Sequence, residues 1–224
     1  MREELLRLYA ITDVGLSGPH FFDHLASALR GGATMVQLRL KGKSFEEFCA
    51  VGRQVKALCQ QAGVPLIVND SLEVALALDA DGLHLGQGDG PFDRARRALK
   101  GKILGITAHN ALEALQAQGW GADYLGVGAF FPTATKSEAK LLARPELMRL
   151  RGAVSLPLVG IGGITLERME ELRGLGLSGV ALAGALFGSG SVEENARRLR
   201  GRADELFLKG AEHARSHSPH NSRQ

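Results

Sequence analysis

Three polar side chains alternate with leucines in the segment QLRLK, residues 37–41: Gln37, Arg39 and Lys41. Side chains two residues apart on a β-strand point to the same side, so these three would share one face. An amide and two cations on one face can bind an anion. The spacing therefore predicts an anion site, and it leaves open an ordinary polar face under a helix or at a sheet edge.

Carboxylates follow two other short apolar runs. Asn69 and Asp70 end PLIVND, and Asp89 lies beyond a glycine-rich turn in HLGQGD. Taken alone, Asn69 or Asp70 would be a helix N-cap before SLEVALAL, and Asp89 would be a turn residue. Two carboxylates on neighbouring strand ends can instead share a divalent cation, and oxygen ligands with retained water suit Mg²⁺. The pair predicts a magnesium site if the two strands are adjacent.

Hydroxyl, cationic and very small residues end the later apolar runs. Thr133, Thr135 and Lys136 follow YLGVGAFF, where the alternative is a polar strand-to-helix loop. Gly163 lies in IGGIT, and LAGALF places Ala183 and Gly184 after the last run. Backbone N–H groups next to such small residues can approach a phosphate closely. These residues predict a second anion site.

Eight short apolar runs alternate with eight amphipathic stretches, which implies parallel strands joined by helical crossovers. An α/β fold, a single (β/α)8 TIM barrel over residues 1–208, fits this count. An open doubly wound sheet is the alternative, weakened because no GxGxxG follows the first strand. We predict strands at 8–12, 34–40, 65–69, 82–86, 103–108, 124–130, 157–162 and 179–184. We predict helices near 20–30, 44–62, 71–78, 91–99, 110–118, 140–151, 165–175 and 191–208.

The barrel would bring the polar residues to one place, because active sites of this fold lie at the C-terminal ends of the strands. That end, the barrel mouth, would hold two anion sites and a metal ion. The chemistry that fits is the joining of a diphosphate-activated group to a phosphorylated acceptor. Of the histidines, His84 is expected to pack neutral in the core, while His109 could reach the mouth.

Composition excludes several other classes of protein. The net charge of +3 comes largely from a polar tail, residues 209–224, which we expect to be disordered, and no basic stripe indicates nucleic-acid binding. No segment has the length and apolarity of a signal peptide or membrane span. Cys49 and Cys59 are expected to be buried thiols in a reducing compartment. We expect a cytoplasmic enzyme acting on small molecules, with the oligomeric state, a homo-oligomer included, left open.

Several motifs together resemble the thiamine phosphate synthase family, in order from about residue 8 to about residue 200. They are QLRLK (37–41), VND (68–70), DGLHLGQGD (81–89), GITAH (105–109), DYLGVGAFFPTATK (123–136) and VGIGGI (159–164). The family is a (β/α)8 barrel that couples 4-amino-5-hydroxymethyl-2-methylpyrimidine diphosphate to a thiazole phosphate, with loss of pyrophosphate. The resemblance implies a dissociative reaction assisted by Mg²⁺ and without a protein nucleophile.

The resemblance also implies a role for each matching residue. Asp70 and Asp89 would bind Mg²⁺, and Arg39, Thr107 and Lys136 would act directly on the reacting diphosphate. The pyrimidine diphosphate would be held by Gln37, Arg39, Lys41, Asn69, Thr107 and Lys136. The thiazole phosphate, in its carboxylated form, would be held by Thr133, Thr135, Gly163, Ala183 and Gly184.

This chain departs from the family pattern at a few positions. Leu40 stands where the family often has Glu, Thr107 where it has Ser, and Ala183-Gly184 where Val-Ser is common; the segment after Lys136 lacks glycine. A paralogous thiazole tautomerase, acting through His109, is the alternative function. That paralogue typically lacks the Asp after Asn and the GQxD motif, which this chain has. A thiamine-binding barrel without catalysis is a more distant alternative.

Overall fold

Eight parallel strands close into a barrel in the computed structural model, which describes residues 1–133 and 140–208. Each strand pairs with its sequence neighbours, and the last pairs with the first, Leu8 opposite Val180. The strands are β1 Leu8–Ile11, β2 Met35–Leu38, β3 Leu66–Asn69, β4 Gly82–Leu85, β5 Ile103–Ala108, β6 Tyr124–Val127, β7 Leu158–Ile161 and β8 Gly179–Leu182. The TIM-barrel prediction is confirmed.

Helices surround the barrel. The α-helices are α1 Val14–Ser17, α2 Phe21–Arg30, α3 Phe45–Ala62, α4 Leu72–Ala77, α5 Phe92–Leu99, α6 Ala111–Gly119, α7 Arg144–Ala153, α8 Gly184–Phe187 and α9 Val192–Phe207. Short 3₁₀ helices span Glu3–Leu6, Gly18–His20 and Arg168–Leu172. The last of these occupies the place of the helix predicted at 165–175. None of the helices in the described ranges is long and apolar enough to cross a membrane.

Local sequence explains where the long helix α3 begins and ends. Ser44 Oγ accepts the Glu47 N–H at 3.2 Å, and the Glu47 carboxylate accepts the Ser44 N–H at 2.9 Å, a reciprocal capping box. The helix stops at Gly63, whose φ of 65° is left-handed and suits glycine. The segment between β2 and α3 is therefore a short turn whose C-terminal end is fixed by the capping box. This turn forms part of the barrel mouth.

Two apolar layers hold the fold together. The larger one fills the space between strands and helices and contains both free cysteines, Cys49 and Cys59, buried as predicted. The smaller one fills the barrel interior and includes Met35 and Ile67 but also Tyr9 and Tyr124. Two tyrosines inside an otherwise aliphatic barrel bring hydroxyl groups that must find hydrogen-bond partners.

Three strands end at least two residues earlier than predicted. The strands predicted at 34–40, 124–130 and 179–184 stop at Leu38, Val127 and Leu182. Residues that alternation assigned to strand faces therefore lie in the turns of the mouth. The polar tail predicted at 209–224 lies outside the described residues.

Candidate active site

Asp70 and Asp89 come together at the mouth because β3 and β4 are neighbours, with Asn69 opposite His84. The pKa of Asp70 is raised to about 6, first by withdrawal of its carboxyl group from solvent and then by contact with, and repulsion from, Asp89. Arg39 and Asn69 act on the same carboxyl group in the opposite direction. Four of the predicted site residues thus form one cluster.

The start of α4 shows whether Asn69 or Asp70 is used as a helix cap. Ser71, not Asn69 or Asp70, caps α4, since its hydroxyl accepts the Val74 N–H at 3.3 Å. The N-cap alternative for Asn69 and Asp70 is therefore wrong. Asp70 has a left-handed φ of 64°, which is uncommon for a residue other than glycine. Its carboxylate is left to face Asp89.

Asp89 fixes its own turn and also lies against Asp70. Its Oδ2 accepts the Gly86 N–H at 2.7 Å, as expected of a turn residue. The same carboxylate is close enough to Asp70 to raise that residue's pKa. A second observation joins this turn to β5, because the Gln87 amide donates to the carbonyl oxygen of Thr107. The turn is thus held in place from two sides.

The carboxylate pair fits a hard divalent cation that takes its remaining ligands from elsewhere. Among residues 1–133 and 140–208, no three histidine, cysteine or acidic side chains form a metal cluster. Mg²⁺ typically binds one or two carboxylates and completes its shell with water and substrate phosphates. Two facing carboxylates beside a cavity lined by Arg39 and Lys41 match that pattern, whereas they would not suffice for a closed structural zinc site.

A cavity of about 360 Å³ opens next to this pair. Arg39, Lys41, Asn69 and Asp70 line it, together with the first residues of α3 and α4. Arg39 stays near the site through its backbone N–H, which donates to Thr12 Oγ1 at 3.0 Å. The cavity combines cations with Asp70, one member of the carboxylate pair, so it could receive an anion whose charge is shared with a metal ion.

Gln37 lies on β2, whereas Arg39 and Lys41 follow the end of that strand. The strand prediction placed all three on one side, but β2 ends at Leu38, so Arg39 and Lys41 lie beyond the ladder. Gln37 is buried, and its Nε2 donates to the Tyr9 hydroxyl at 2.9 Å. The common face stays a prediction: Gln37 contacts Tyr9 in the barrel interior, and Arg39 and Lys41 line the cavity at the mouth.

Thr107, on β5, joins the mouth to the barrel interior. Its hydroxyl lies 3.0 Å from His84 Nε2, and His84 Nδ1 lies 2.9 Å from the Tyr124 hydroxyl. Burial lowers the pKa of His84 to about 4, so the ring is neutral near pH 7, as the sequence predicted. Burial also raises the pKa of both Tyr9 and Tyr124, which keeps these hydroxyls protonated.

The sequence reasoning missed the two tyrosines. A signal was present, since the chain contains two tyrosines and each lies in a short apolar run that was predicted as a strand. A tyrosine that faces a barrel interior needs a buried partner, and this requirement could have drawn attention to His84.

The predicted phosphate side has little side-chain chemistry. Gly163 has a φ of 64°, and a Cβ there would lie 2.5 Å from the carbonyl oxygens of Phe131 and Pro132. After the neighbouring strand β8, Ala183 precedes α8, which begins at Gly184, and a Cβ at Gly184 would meet nothing within 4 Å. Thr133 is partly buried next to this region. The predicted residues Thr135 and Lys136 lie outside the described residues.

His109 is exposed just beyond β5. Its Nδ1 lies 3.0 Å from a Glu113 carboxylate oxygen, and the same carboxylate accepts the His109 N–H at 2.8 Å. Glu113 lies in the first turn of α6, so His109 is bound to the start of that helix.

Comparisons with known proteins decide the family. The model of the family described as thiamine monophosphate synthase matches residues 8–186. The chain belongs to the thiamine monophosphate synthase family. A thiamine-phosphate synthase from Chloroflexus aurantiacus is 45% identical over 196 residues, which cover 87% of this chain and 91% of the relative. Another, from Pyrococcus abyssi, is 38% identical over 204 residues, covering 91% and 98%.

Solved structures agree with this family. Thiamine phosphate pyrophosphorylase from Pyrococcus furiosus superposes with a TM-score of 0.84 at 34% identity, covering 92% of this chain and 98% of the other. A 3-hexulose-6-phosphate synthase superposes with a TM-score of 0.67 at 14% identity, covering 88% and 99%, and shares the fold alone. As a member of the thiamine monophosphate synthase family, the chain is an enzyme of the transferase class that acts in thiamine biosynthesis.

Proposed function

We propose that this enzyme condenses 4-amino-5-hydroxymethyl-2-methylpyrimidine diphosphate with 4-methyl-5-(2-phosphoethyl)thiazole, in its carboxylated form, to give thiamine phosphate, pyrophosphate and carbon dioxide. The observation that carries the proposal is the facing pair Asp70 and Asp89 beside a cavity lined by Arg39 and Lys41. Two facing carboxylates repel each other, as the raised pKa of Asp70 reflects, and a divalent cation between them would remove that repulsion.

The diphosphate would bind in this cavity. Asp70 and Asp89 would hold Mg²⁺, which when bound supplies positive charge to the diphosphate oxygens. Arg39 and Lys41 would bind the same oxygens, and Asn69 would fix the end of β3 against them. Gln37, held by Tyr9, would line the deeper part of the site under the pyrimidine. These groups stabilise negative charge that accumulates as the diphosphate departs.

The reaction would proceed by departure of pyrophosphate before the new bond forms. The C–O bond from the pyrimidine methylene to the diphosphate breaks, and the electron pair leaves with pyrophosphate. The thiazole nitrogen then donates its lone pair to the methylene carbon. The bond to the thiazole carboxylate breaks, carbon dioxide leaves, and the electron pair that stays on the ring takes up a proton from solvent. Arg39 and Thr107, with Lys136, would stabilise the departing group, so that no protein nucleophile is required.

The thiazole phosphate would bind on the opposite side of the mouth. Backbone N–H groups at Gly163, Ala183 and Gly184 would bind its phosphate, since small residues allow close approach. Thr133 and Thr135 would contact the same substrate. This arrangement places the acceptor across the mouth from the departing diphosphate.

A coupling assay tests the proposal. Purified protein receives both substrates with Mg²⁺, and thiamine phosphate is measured by chromatography, with a parallel sample in EDTA. We expect product that depends on the metal and that Asp89→Asn reduces by at least about a hundredfold. Asn at this position keeps an oxygen that can accept the Gly86 N–H, so the turn is preserved while the charge is removed.

The matched control is Asp93→Ala. Asp93 is an exposed residue of α5 that pairs with Arg97 at 2.8 Å, and it should leave activity unchanged. Product formed equally well in EDTA would contradict the metal site. If the folded protein forms no product, the tautomerase alternative is favoured, because the His109–Glu113 pair could move a proton. Conversion of the thiazole tautomer, and its loss in His109→Ala, would then establish that activity.

A further inference from the structure

Five polar side chains from five strands form one continuous hydrogen-bonded chain across the barrel interior. Gln37 Nε2 lies 2.9 Å from the Tyr9 hydroxyl, which lies 2.9 Å from the Tyr124 hydroxyl. Tyr124 lies 2.9 Å from His84 Nδ1, and His84 Nε2 lies 3.0 Å from Thr107 Oγ1. We call this set the polar chain. It begins on β2 and ends at Thr107, the one member that is partly exposed.

The barrel leaves space for the polar chain at two glycines of neighbouring strands. A Cβ at Gly105 would lie 2.5 Å from His84 Nδ1 and closer still to the Tyr124 ring. A Cβ at Gly126 would lie 3.1 Å from His84 Cε1. Any larger residue at Gly105 would push apart the two partners that meet there. The tyrosine–histidine contact therefore depends on the shape of the barrel as well as on its own hydrogen bond.

The amide of Gln37 sets the direction of every bond that follows. An amide nitrogen donates and cannot accept, so the Tyr9 oxygen accepts from Gln37. Tyr9 then has one proton to give, and Tyr124 is its partner. Tyr124 in turn gives its proton to His84 Nδ1. With Nδ1 accepting, the proton of the neutral imidazole is on Nε2, where it is donated to Thr107 Oγ1.

The opposite direction leaves a buried proton without a partner. If Thr107 donated to Nε2, then Nδ1 would donate to Tyr124, and Tyr124 to Tyr9. The Tyr9 oxygen would then accept from Gln37 and Tyr124, and its own proton would need another acceptor. Within the described ranges, no such acceptor lies at hydrogen-bond distance from the Tyr9 hydroxyl. A protonated His84 meets the same difficulty, because it would also donate to Tyr124.

We propose that the polar chain holds His84 as the Nε2–H tautomer and thereby makes Thr107 a hydrogen-bond donor towards the barrel mouth. Because Thr107 Oγ1 accepts from His84, its own proton is directed away from the histidine. His84 is a positioning residue in this scheme, since it acts through Thr107. The low pKa of His84 agrees with a neutral ring.

The acceptor at the mouth would be an oxygen of the substrate's diphosphate, and this step rests on the proposed function. A hydroxyl proton directed at that oxygen would stabilise it as charge develops. Thr107 stands where the family has serine, and the two residues would be equivalent in this role. Either hydroxyl can accept from His84 and donate outward, so the exchange preserves the chemistry.

The tautomer can be measured in the protein without substrate. Long-range ¹H–¹⁵N NMR spectra of labelled protein distinguish the protonated from the unprotonated ring nitrogen, with His84 assigned through its backbone. We expect an unprotonated Nδ1 and a protonated Nε2 in the unsubstituted protein at pH 7. Tyr124→Phe removes the donor to Nδ1, and we expect the spectrum to change towards a mixture of tautomers.

The matched control for Tyr124→Phe is Tyr9→Phe. Each removes one buried tyrosine hydroxyl, but Tyr9→Phe leaves Tyr124 able to donate its proton to His84. We therefore expect the Nε2–H signature to persist in Tyr9→Phe. A Nδ1–H tautomer in the unsubstituted protein, or an unchanged signature in Tyr124→Phe, would overturn the proposal.

Kinetics test the part that concerns Thr107. Thr107→Ser should retain most of the coupling activity, whereas Thr107→Val should lower kcat by about ten- to a hundredfold with a smaller change in KM. Tyr124→Phe should lower kcat several-fold. A Thr107→Val variant with unchanged kcat would contradict the donor role. An inactive unsubstituted protein would count against the proposed function, while the NMR signature would still decide the tautomer.

Discussion

Both ends of the barrel carry carboxylates, but the groups that these carboxylates contact differ. At the N-terminal end, Asp81 accepts the Leu66 N–H at 2.8 Å, and Asp123 accepts the Leu104 N–H at 2.8 Å. Each of these carboxylates thus receives a proton donor from the neighbouring strand. At the mouth, Asp70 instead faces another carboxylate, that of Asp89, and its pKa rises.

The arginines show the same contrast. Arg7, at the N-terminal end, is buried, donates to the Ser178 carbonyl at 3.0 Å and lies 3.5 Å from Asp204. Arg39, at the mouth, has its nearest ion-pair contact with Asp13 at 3.8 Å and lines the open cavity. Polar groups that are fully paired within the chain stabilise the fold, whereas unfavourably placed ones indicate a site completed by a ligand.

Asp70→Asn should separate activity from stability most strongly. Asn adopts left-handed backbone conformations readily, so the φ of 64° is retained. We expect the coupling activity to fall by about a hundredfold or more, because half of the carboxylate pair is lost. Stability should not fall, because the substitution removes a like charge. Both quantities are measured on one preparation, by the coupling assay and by urea unfolding.

The pH dependence of this effect has a defined sign. The folded pKa of Asp70, about 6, lies above the ordinary value of 3.8, so the folded protein binds this proton more tightly than the unfolded chain does. The stability that this proton contributes is fully present below pH 3.8 and is lost as the pH rises through 6. Asp70→Asn should therefore gain most in stability above pH 6. A loss of stability at pH 7 would mean that Asp70 has a structural role.

Strand adjacency explains why much of this site could be predicted from the sequence. Strict alternation of apolar runs and helices leaves few topologies, and a parallel barrel brings the ends of β3 and β4 side by side. The proximity of Asp70 and Asp89 follows from that order alone. The small residues Gly163 and Gly184 follow in the same way from their places after β7 and β8.

The end of β2 could not be predicted, although it places Arg39 and Lys41 in the turn that follows the strand. Alternation continues to Lys41 in the sequence, but the Arg39 N–H bonds to Thr12 Oγ1 instead of continuing the ladder. Competition between a side-chain acceptor and a strand partner depends on tertiary geometry. The hydrogen bonds of the polar chain could not be predicted either, because contacts across a barrel interior join residues that are far apart in sequence, such as Tyr9 and Tyr124.

Asp123→Ala should lower stability and leave activity unchanged, which is the opposite of the effect expected at the mouth. Asp123 accepts from the Leu104 N–H and from Arg96 Nη1 at 3.0 Å; the Leu104 N–H would lose its partner, whereas Arg96 Nη1 would keep the Gly121 carbonyl. We expect a loss of about 2 kcal/mol in the free energy of unfolding, since a buried donor without an acceptor is costly. The coupling activity of the folded protein should stay unchanged. Urea unfolding and steady-state kinetics measure the two effects.

Asp123→Asn is the control for charge at this end. It keeps an oxygen that can accept the Leu104 N–H and should lose less stability than Asp123→Ala. Equal losses in the two variants would mean that the ion pair with Arg96, rather than the backbone contact, holds the strands together. A fall in kcat with Asp123→Ala would contradict the division between the two ends of the barrel.

The smallest effect is expected at the glycine-lined side of the mouth. A Cβ at Gly184 meets no atom of the protein within 4 Å, so Gly184→Ala should leave stability unchanged or slightly raised. If the thiazole phosphate approaches the backbone there, the added methyl group meets the ligand instead. We expect the KM for the thiazole phosphate to rise by roughly tenfold with little change in the KM for the pyrimidine diphosphate.

Gly201→Ala supplies the matched control for this substitution. Gly201 lies in α9, and a Cβ there also meets nothing within 4 Å, so Ala should raise stability by about 0.5–1 kcal/mol without changing either KM. An unchanged KM in Gly184→Ala would mean that the phosphate binds away from α8, and Gly163 would be the next residue to test. If only the KM for the thiazole phosphate rises, the open space at Gly184 is needed to bind the ligand and not to stabilise the fold.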